Sequence, residues 1–142
     1  MSGAVRTPAE LTEALRGRGW RNTPQRQLIF RILYENHAHP TAEAVYALAA
    51  AEMPSISLRT VYQTLNDLAD MGDLNVLDVG TGAARFDPIV DGHHHLVCSV
   101  CGAIHDVYLP PPDTLPVTDA FEGFSLASVQ ITFRGRCHSC CT

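Results

Sequence analysis

The sequence predicts an α+β fold in two parts, and two patterns support this prediction. In residues 1–87, apolar residues recur at helical spacing in four short segments, which two strand-like segments follow. In residues 93–142, alternating apolar and polar residues predict three strands, and this part also holds all five cysteines. Residues 88–92, with a proline at one end and a glycine at the other, are predicted to form a hinge.

Four helices are predicted in the first part, because a Thr or Ser suited to the N-cap position precedes each apolar-periodic segment. These N-caps are Thr7, Thr23, Thr41 and Ser57. Glu10 completes a capping box at the first helix. The apolar residues that make these patterns are Leu11, Ala14 and Leu15, then Ile29, Ile32 and Leu33, then Val45, Leu48 and Ala49, and finally Val61, Leu65 and Leu68, of which the last three are predicted to face inward.

A β-hairpin is predicted after the fourth helix, from Leu74–Val79 and Ala83–Phe86, which Gly80-Thr81-Gly82 joins. Short helices followed by a hairpin are typical of a winged helix-turn-helix domain, whose second helix of the turn lies in the DNA major groove. The outer face of the fourth helix has side chains suited to that role, namely Arg59, Thr60, Tyr62, Gln63 and Asn66.

The second part is predicted to be a small sheet. His95–Cys98 is the expected first strand, Ala103–Leu109 the return strand and Phe124–Phe133 a third strand. Between the last two, the prolines of Pro110–Pro116 break the chain, and Thr118–Glu122 is long enough only for a short helix. About 50 residues with three strands bury little apolar surface, so we expect this part to pair with a second copy of the chain.

Composition and charge narrow the function classes. The net charge is −5, which argues against indiscriminate coating of nucleic acid, but six of the ten arginines lie in the first 34 residues. This distribution fits localised phosphate contacts, and equally a solvated helical face. No apolar run has membrane-spanning length and the N-terminus lacks a signal-peptide core, so a cytoplasmic protein is expected. Its cysteines are then expected to be metal ligands or thiols, not disulfides.

The cysteines form two CxxC pairs. Cys98 and Cys101 with Cys137 and Cys140 have the ligand spacing of a closed, structural Cys₄ zinc site. Cys141 competes with Cys140 for the fourth ligand position. A redox-active thiol pair is the rival interpretation, and a reducing compartment disfavours it.

A second donor set contains no sulfur. In an extended strand His93 and His95 share one face, whereas His94 and Cys98 lie on the other. Asp87 and Asp106 flank the two histidines, and His39 could join them, with His37 as its main competitor. Three imidazoles and two carboxylates suit Fe(II), Mn(II) or another borderline metal. The candidate ligands are His39, Asp87, His93, His95 and Asp106.

Several motifs resemble those of the ferric uptake regulator (Fur) family. They are Thr23-Pro24-Gln25-Arg26, Ala38-His39-Pro40-Thr41-Ala42-Glu43, Ser57-x-x-Thr60-Val61-Tyr62-x-x-Leu65 and His93-x-His95-x-x-Cys98-x-x-Cys101-Gly102. They occur in the order of the family and cover nearly the whole chain, from about Leu11 to Cys140.

The resemblance implies a homodimeric, metal-dependent transcriptional repressor that binds a pseudo-palindromic double-stranded DNA operator. It implies a winged helix-turn-helix domain followed by a small α+β dimerisation domain, with structural Zn²⁺ on Cys98, Cys101, Cys137 and Cys140. It assigns a regulatory Fe²⁺ or Mn²⁺ to His39, Asp87, His93, His95 and Asp106. The DNA-binding residues predicted on this basis are Arg26, Ser57, Arg59, Thr60, Tyr62 and Gln63.

Two aspartates indicate the branch of the family. The peroxide-sensing (PerR-like) branch typically has Asp at the position of Asp106, where iron-uptake regulators usually have Glu, and Arg85-Phe86-Asp87 also resembles that branch. The resemblance then implies that His39 or His93 is oxidised when peroxide reacts at bound iron. Some members have a further metal site on a His before the last CxxC, and none is expected here because 124–136 contains no His.

Four alternatives stay open at the level of sequence. One is an uptake repressor for iron, zinc, nickel or manganese that does not sense peroxide. Another is a zinc-stabilised interaction module without a regulatory metal. A third is a non-haem iron enzyme, since two His and a carboxylate also describe such centres. Against the enzyme, no signature of a substrate pocket is present, and we expect no small-molecule substrate. The last is the redox thiol pair considered above.

Overall fold

The computed structural model describes residues 5–78, 80, 82–90, 92–109, 123–125 and 129–141. The chain forms two compact units, which we call the N-terminal unit (Ser2–Asp91) and the C-terminal unit (Gly92–Thr142). Among the described residues, every helix is too short or too polar to cross a membrane.

The N-terminal unit contains four helices and a two-stranded antiparallel sheet, as predicted. Its elements are α1 (Pro8–Gly17), α2 (Pro24–Glu35), α3 (Ala42–Glu52), α4 (Leu58–Asp70), β1 (Asn75–Leu77) and β2 (Arg85–Asp87). Val76 pairs with Phe86 at the centre of the hairpin. The strands are shorter than the predicted segments, and β2 extends one residue further, to Asp87.

The predicted N-caps are confirmed at all four helices. The hydroxyl oxygen of each cap accepts a hydrogen bond from the backbone N–H three residues later. At α1 the Glu10 carboxylate also accepts from the backbone N–H of Thr7 at 2.8 Å, which completes the capping box. These bonds satisfy N–H groups that have no partner inside a helix, and they set where each helix begins.

One apolar core holds the helices of this unit together. Sixteen of the described residues form it, from Leu11 in α1 to Phe86 in β2, and Phe30, Leu33 and Leu65 are among the largest. Of the apolar residues whose spacing predicts α3, Leu48 lies outside this core, since its side chain is 48% exposed. The helical spacing of Val45, Leu48 and Ala49 is right, but α3 is apolar on most of its surface and spacing alone did not single out its buried side.

The C-terminal unit is a three-stranded sheet with strand order β4-β3-β5. Its elements are β3 (His94–Cys98), β4 (Ile104–Val107), β5 (Thr132–Gly135) and a 3₁₀ turn (His138–Cys140). The central strand β3 is antiparallel to β4 and parallel to β5.

The predicted third strand is confirmed at its end, where it overlaps β5. It was expected over 124–133, but β5 begins at Thr132. A strand exists only where a partner offers a hydrogen-bonding ladder. Among the described residues the ladder with β3 begins at the pairing of His95 with Thr132, and residues 126–128 of the predicted strand lie outside them. The predicted break at 110–116 and the short helix at 118–122 lie outside the described residues.

Candidate metal centres and DNA-binding surface

Four thiols converge in the C-terminal unit. Cys98 ends β3 and Cys101 lies in the turn after it, whereas Cys137 precedes the 3₁₀ turn after β5 and Cys140 ends that turn. The parallel pairing of Cys98 with Gly135 brings the two CxxC segments together. The four sulfur atoms all lie within 4.8 Å of one another, and no disulfide is present among them.

The spacing of these sulfur atoms fits a tetrahedral metal. Cys101 Sγ lies 3.7 Å from Cys137 Sγ. Four sulfurs at about 2.3 Å from a Zn²⁺ ion would be separated by about 3.8 Å along each tetrahedral edge. The cluster is also closed, since all four positions come from protein thiols, which is the arrangement of structural zinc sites.

The thiols differ in their tendency to ionise. Backbone N–H groups of Cys101, Cys137 and Val100 lower the pKa of the Cys98 thiol to about 6. The thiol–thiol hydrogen bond with Cys137 raises the pKa of Cys140 to about 12. Four thiolates this close repel one another, so full ionisation needs a cation between them, and a coordinating thiol loses its proton outright. This charge pattern fits a metal site.

Cys141 lies outside the cluster. Its thiol donates a hydrogen bond to the carbonyl of Arg136 at 3.4 Å, while Cys140 supplies the fourth sulfur of the cluster. The sequence left the choice between Cys140 and Cys141 open, because either is close enough to Cys137 to be a ligand and the spacing does not show which thiol faces inward.

In the N-terminal unit, His39 and Asp87 form a buried pair. Nε2 of His39 lies 3.4 Å from Oδ2 of Asp87, and the side chains are 3% and 1% exposed. The other carboxylate oxygen of Asp87 accepts a hydrogen bond from the backbone N–H of Ile89 at 2.9 Å. That bond orients the carboxylate toward the imidazole. His37, the competitor of His39, is exposed.

In the C-terminal unit, His93, His95 and Asp106 form a second cluster of nitrogen and oxygen donors. His95 in β3 is paired directly with Asp106 in β4, so their side chains share a face. Oδ1 of Asp106 lies 3.2 Å from Nε2 of His93 and 3.6 Å from Nε2 of His95. The two imidazole centroids are 4.6 Å apart, and the ring of Tyr108 lies 5.5 Å from that of His93.

These separations also fit metal ligands. Donor atoms about 2.1 Å from an octahedral ion are about 3.0 Å apart along each edge. Imidazoles with carboxylates, and no thiolate, suit divalent iron or manganese. The two groups of nitrogen and oxygen donors therefore differ from the thiol cluster in the metals that they suit, as well as in their positions along the chain.

Two hydrogen bonds around the histidines were not expected from the sequence. Nδ1 of His94 accepts from the backbone N–H of Ile131 at 3.0 Å, so a histidine without a predicted role attaches the segment before β5 to β3. The amide of Gln130 lies 3.4 Å from Nδ1 of His95. The alternation of side chains along a strand predicts that His94 and His93 lie on opposite faces. It does not identify Ile131, 37 residues away, as the partner of His94.

The predicted DNA-binding residues have different surroundings. Ser57, Arg59, Tyr62 and Gln63 are exposed on or beside α4, and Thr60 is half-buried. The hydroxyl of Tyr62 donates to the carboxylate of Glu43 in α3 at 2.6 Å, which raises the pKa of Tyr62.

Arg26 is largely enclosed. It pairs with Asp67 at 2.9 Å, both side chains are mostly buried, and its guanidinium lies 5.9 Å from the centroid of the Trp20 ring. Gln63 donates to the same Asp67. These contacts join α2 to α4, and the role of Arg26 in DNA binding stays a prediction.

Comparisons with known proteins agree with this architecture. Residues 17–134 match the profile of the ferric uptake regulator family. The chain is 35% identical over 132 residues to the peroxide-responsive repressor PerR of Staphylococcus saprophyticus. The aligned region covers 89% of this chain and 86% of the relative.

Solved structures have the same fold. A peroxide stress regulator of Campylobacter jejuni superposes with a TM-score of 0.68 at 30% identity, over 92% of this chain and 99% of the other. The ferric uptake regulator of Helicobacter pylori superposes with a TM-score of 0.78 at 20% identity, over 99% of this chain and 97% of the other. Three functional metal-binding sites are described for that protein. At that identity the second comparison supports the fold alone.

The profile match spans most of the chain, and the similarity to PerR extends over nearly all of both proteins. Regulators of this family bind DNA as dimers. The chain belongs to the ferric uptake regulator family, whose members are transcriptional regulators and not enzymes.

Proposed function

We propose that this protein is a metal-dependent repressor that binds a pseudo-palindromic operator as a homodimer and responds to peroxide through Fe²⁺ or Mn²⁺. The observation that supports it most is the segregation of donors into a thiol cluster and a sulfur-free set of imidazoles and carboxylates. The peroxide response rests on the similarity to PerR repressors and on Asp87 and Asp106. A repressor acts where the DNA is, so we place it in the cytoplasm.

The thiol cluster would hold a structural Zn²⁺. Cys98, Cys101, Cys137 and Cys140 would be the ligands, and no position would remain open for a substrate. Because the cluster joins β3 to the chain after β5, the metal would stabilise the sheet of the C-terminal unit.

The regulatory ion would take ligands from both units. We propose that His39 and Asp87 of the N-terminal unit and His93, His95 and Asp106 of the C-terminal unit bind one Fe²⁺ or Mn²⁺. A shared ion would restrict the angle between the units around 88–92. Metal and DNA would then favour the same conformation, and a coupling of about 1–3 kcal/mol would change operator affinity by roughly 5–150-fold.

The DNA-binding surface would centre on α4. Its exposed Arg59, Tyr62 and Gln63 would lie in the major groove, and the hairpin β1–β2 would lie beside the phosphate backbone. The two copies in a dimer would contact two half-sites, which is why a pseudo-palindromic operator is proposed.

The peroxide response depends on which metal is bound. Fe²⁺ held by the proposed regulatory ligands would supply reducing chemistry toward hydrogen peroxide, whereas Mn²⁺ would not under the same conditions. An imidazole of His39 or His93 would gain one oxygen atom as the O–O bond of peroxide breaks, and the other oxygen would leave as water. The oxidised imidazole would bind metal less well, and loss of the ion would release DNA.

The test uses a DNA duplex selected in vitro from random sequences with the Mn²⁺-loaded protein. Fluorescence anisotropy then measures DNA binding by Fe²⁺-loaded and Mn²⁺-loaded protein under anaerobic conditions, before and after a near-stoichiometric pulse of peroxide. We expect release from the iron form alone, with one added oxygen on the peptide holding His39 or His93 by mass spectrometry.

Each other outcome argues against part of the proposal. Metal-dependent DNA binding without histidine oxidation, at confirmed iron occupancy, would indicate an uptake repressor for iron, or for zinc, nickel or manganese. DNA binding that is the same with and without metal would contradict the proposal as a whole.

A further inference from the structure

The backbone at His39 has an uncommon conformation. Its φ angle is 54°, the one positive φ of a non-glycine residue among the residues that the structure describes. A side chain with a β-carbon disfavours this region, and the proline at position 40 favours an extended conformation for the residue before it. Neighbouring groups must therefore hold His39 in place.

The residues that hold it lie in β2. The guanidinium of Arg85 donates from Nη2 to the carbonyl of Ala38 at 3.0 Å and from Nε to the carbonyl of His39. The backbone N–H of Phe86 donates to the carbonyl of Pro40 at 2.9 Å. Two successive residues thus bond three successive carbonyls. The planar fork of an arginine suits two neighbouring carbonyls, and a lysine ammonium has no such fixed geometry.

The next residue of β2 is Asp87, whose carboxylate lies 3.4 Å from Nε2 of His39. One short strand therefore holds the backbone of His39 through Arg85 and supplies a partner for its imidazole through Asp87. We propose that Arg85 is a positioning residue, which keeps His39 in the left-handed conformation that directs its imidazole toward Asp87 and so strengthens binding of the regulatory metal. This inference rests on the proposed function of that site.

The effect is expected to be local. Arg85 is half-buried and Ala38 is exposed, so water can take the place of the guanidinium when it is removed. His39 would then relax toward the extended conformation that the following proline favours, and its imidazole would turn away from Asp87. We expect Arg85→Gln to keep its fold and its zinc.

The experiment measures Mn²⁺ affinity by chelator competition in the full-length, zinc-loaded protein. Arg85→Gln is expected to weaken Mn²⁺ binding about tenfold or more, the usual effect of losing an outer-shell partner of a ligand. Arg85→Lys is expected to restore only part of the affinity. Arg6→Gln is the matched control, since it removes an arginine that pairs with Asp73 in the same unit. Its Mn²⁺ affinity should equal that of the wild type.

A double-mutant cycle separates positioning from a general structural role. In a His39→Ala background, Arg85→Gln should have no further effect on Mn²⁺ affinity, because the group that it positions is absent. An equal loss in both backgrounds would overturn the inference, as would wild-type affinity in both Arg85→Gln and Arg85→Lys.

The same data test the proposed function separately. If His39→Ala itself leaves Mn²⁺ affinity unchanged, the proposed regulatory site is wrong. If His39→Ala weakens binding while Arg85→Gln does not, the site stands and the positioning role fails.

Discussion

The two units of the chain are stabilised in different ways. In the N-terminal unit, sixteen of the described residues form one apolar core, and hydroxyl caps define the four described helices. Among the described residues of the C-terminal unit, the buried apolar side chains are Val97, Cys98 and Ile104. These described strands by themselves bury little apolar surface. We therefore propose that the first unit is stabilised mainly by apolar burial, and that the second relies on a metal held by its four thiols.

The largest effect should follow from removing one thiol of the cluster. Cys98→Ser is expected to release zinc and unfold the C-terminal unit, because structural zinc sites contribute about 10–16 kcal/mol in small zinc domains. Hydrogen exchange followed by mass spectrometry should show fast exchange in β3, β4 and β5, and continued protection in α2 and α4.

Cys141→Ser is the matched control, since Cys141 lies outside the cluster. This variant should keep its zinc, and β3, β4 and β5 should stay protected from hydrogen exchange. Protection of β3 in zinc-free Cys98→Ser would show that the sheet is stable without the metal, and the contrast between the units would then be wrong.

A smaller effect, confined to the other unit, should follow from a cavity in the apolar core. Leu65 is fully buried in α4, so Leu65→Ala is expected to cost about 2–5 kcal/mol of unfolding free energy. Urea denaturation followed by helical circular dichroism measures the loss, and the zinc content should stay at one ion per chain. Leu48→Ala truncates a leucine of α3 that is largely exposed, and its effect should be much smaller. Equal losses in the two variants would contradict the assigned core.

The sequence predicted the local features of both units well. The helix starts depend on a hydroxyl and an N–H three residues apart, and the side-chain faces of β3 depend on alternation, so each is encoded within a few residues. The spacing of the CxxC pairs likewise limited the thiol cluster to four of five cysteines, before the structure distinguished Cys140 from Cys141.

The features that were missed depend on distant pairings. The start of β5 is set by its register with β3, and the role of His94 is set by the N–H of Ile131. The guanidinium of Arg85 donates hydrogen bonds to the carbonyls of His39 and Ala38, which lie 46 and 47 positions before it in the sequence. The exposure of Leu48 depends on which side of an apolar helix the core covers. None of these has a signal within a short window of sequence.

The substitution expected to disturb the fold least, His93→Ala, tests the central claim. That claim is that the chain has two chemically separate metal sites. The measurement is metal content by inductively coupled plasma mass spectrometry, after equilibration with excess Mn²⁺ and removal of unbound ions. Wild type should contain one Zn²⁺ and one Mn²⁺ per chain, and His93→Ala should keep its Zn²⁺ and lose Mn²⁺, because His93 is a donor outside the thiol cluster. Loss of zinc from His93→Ala, or retention of its manganese, would contradict the account.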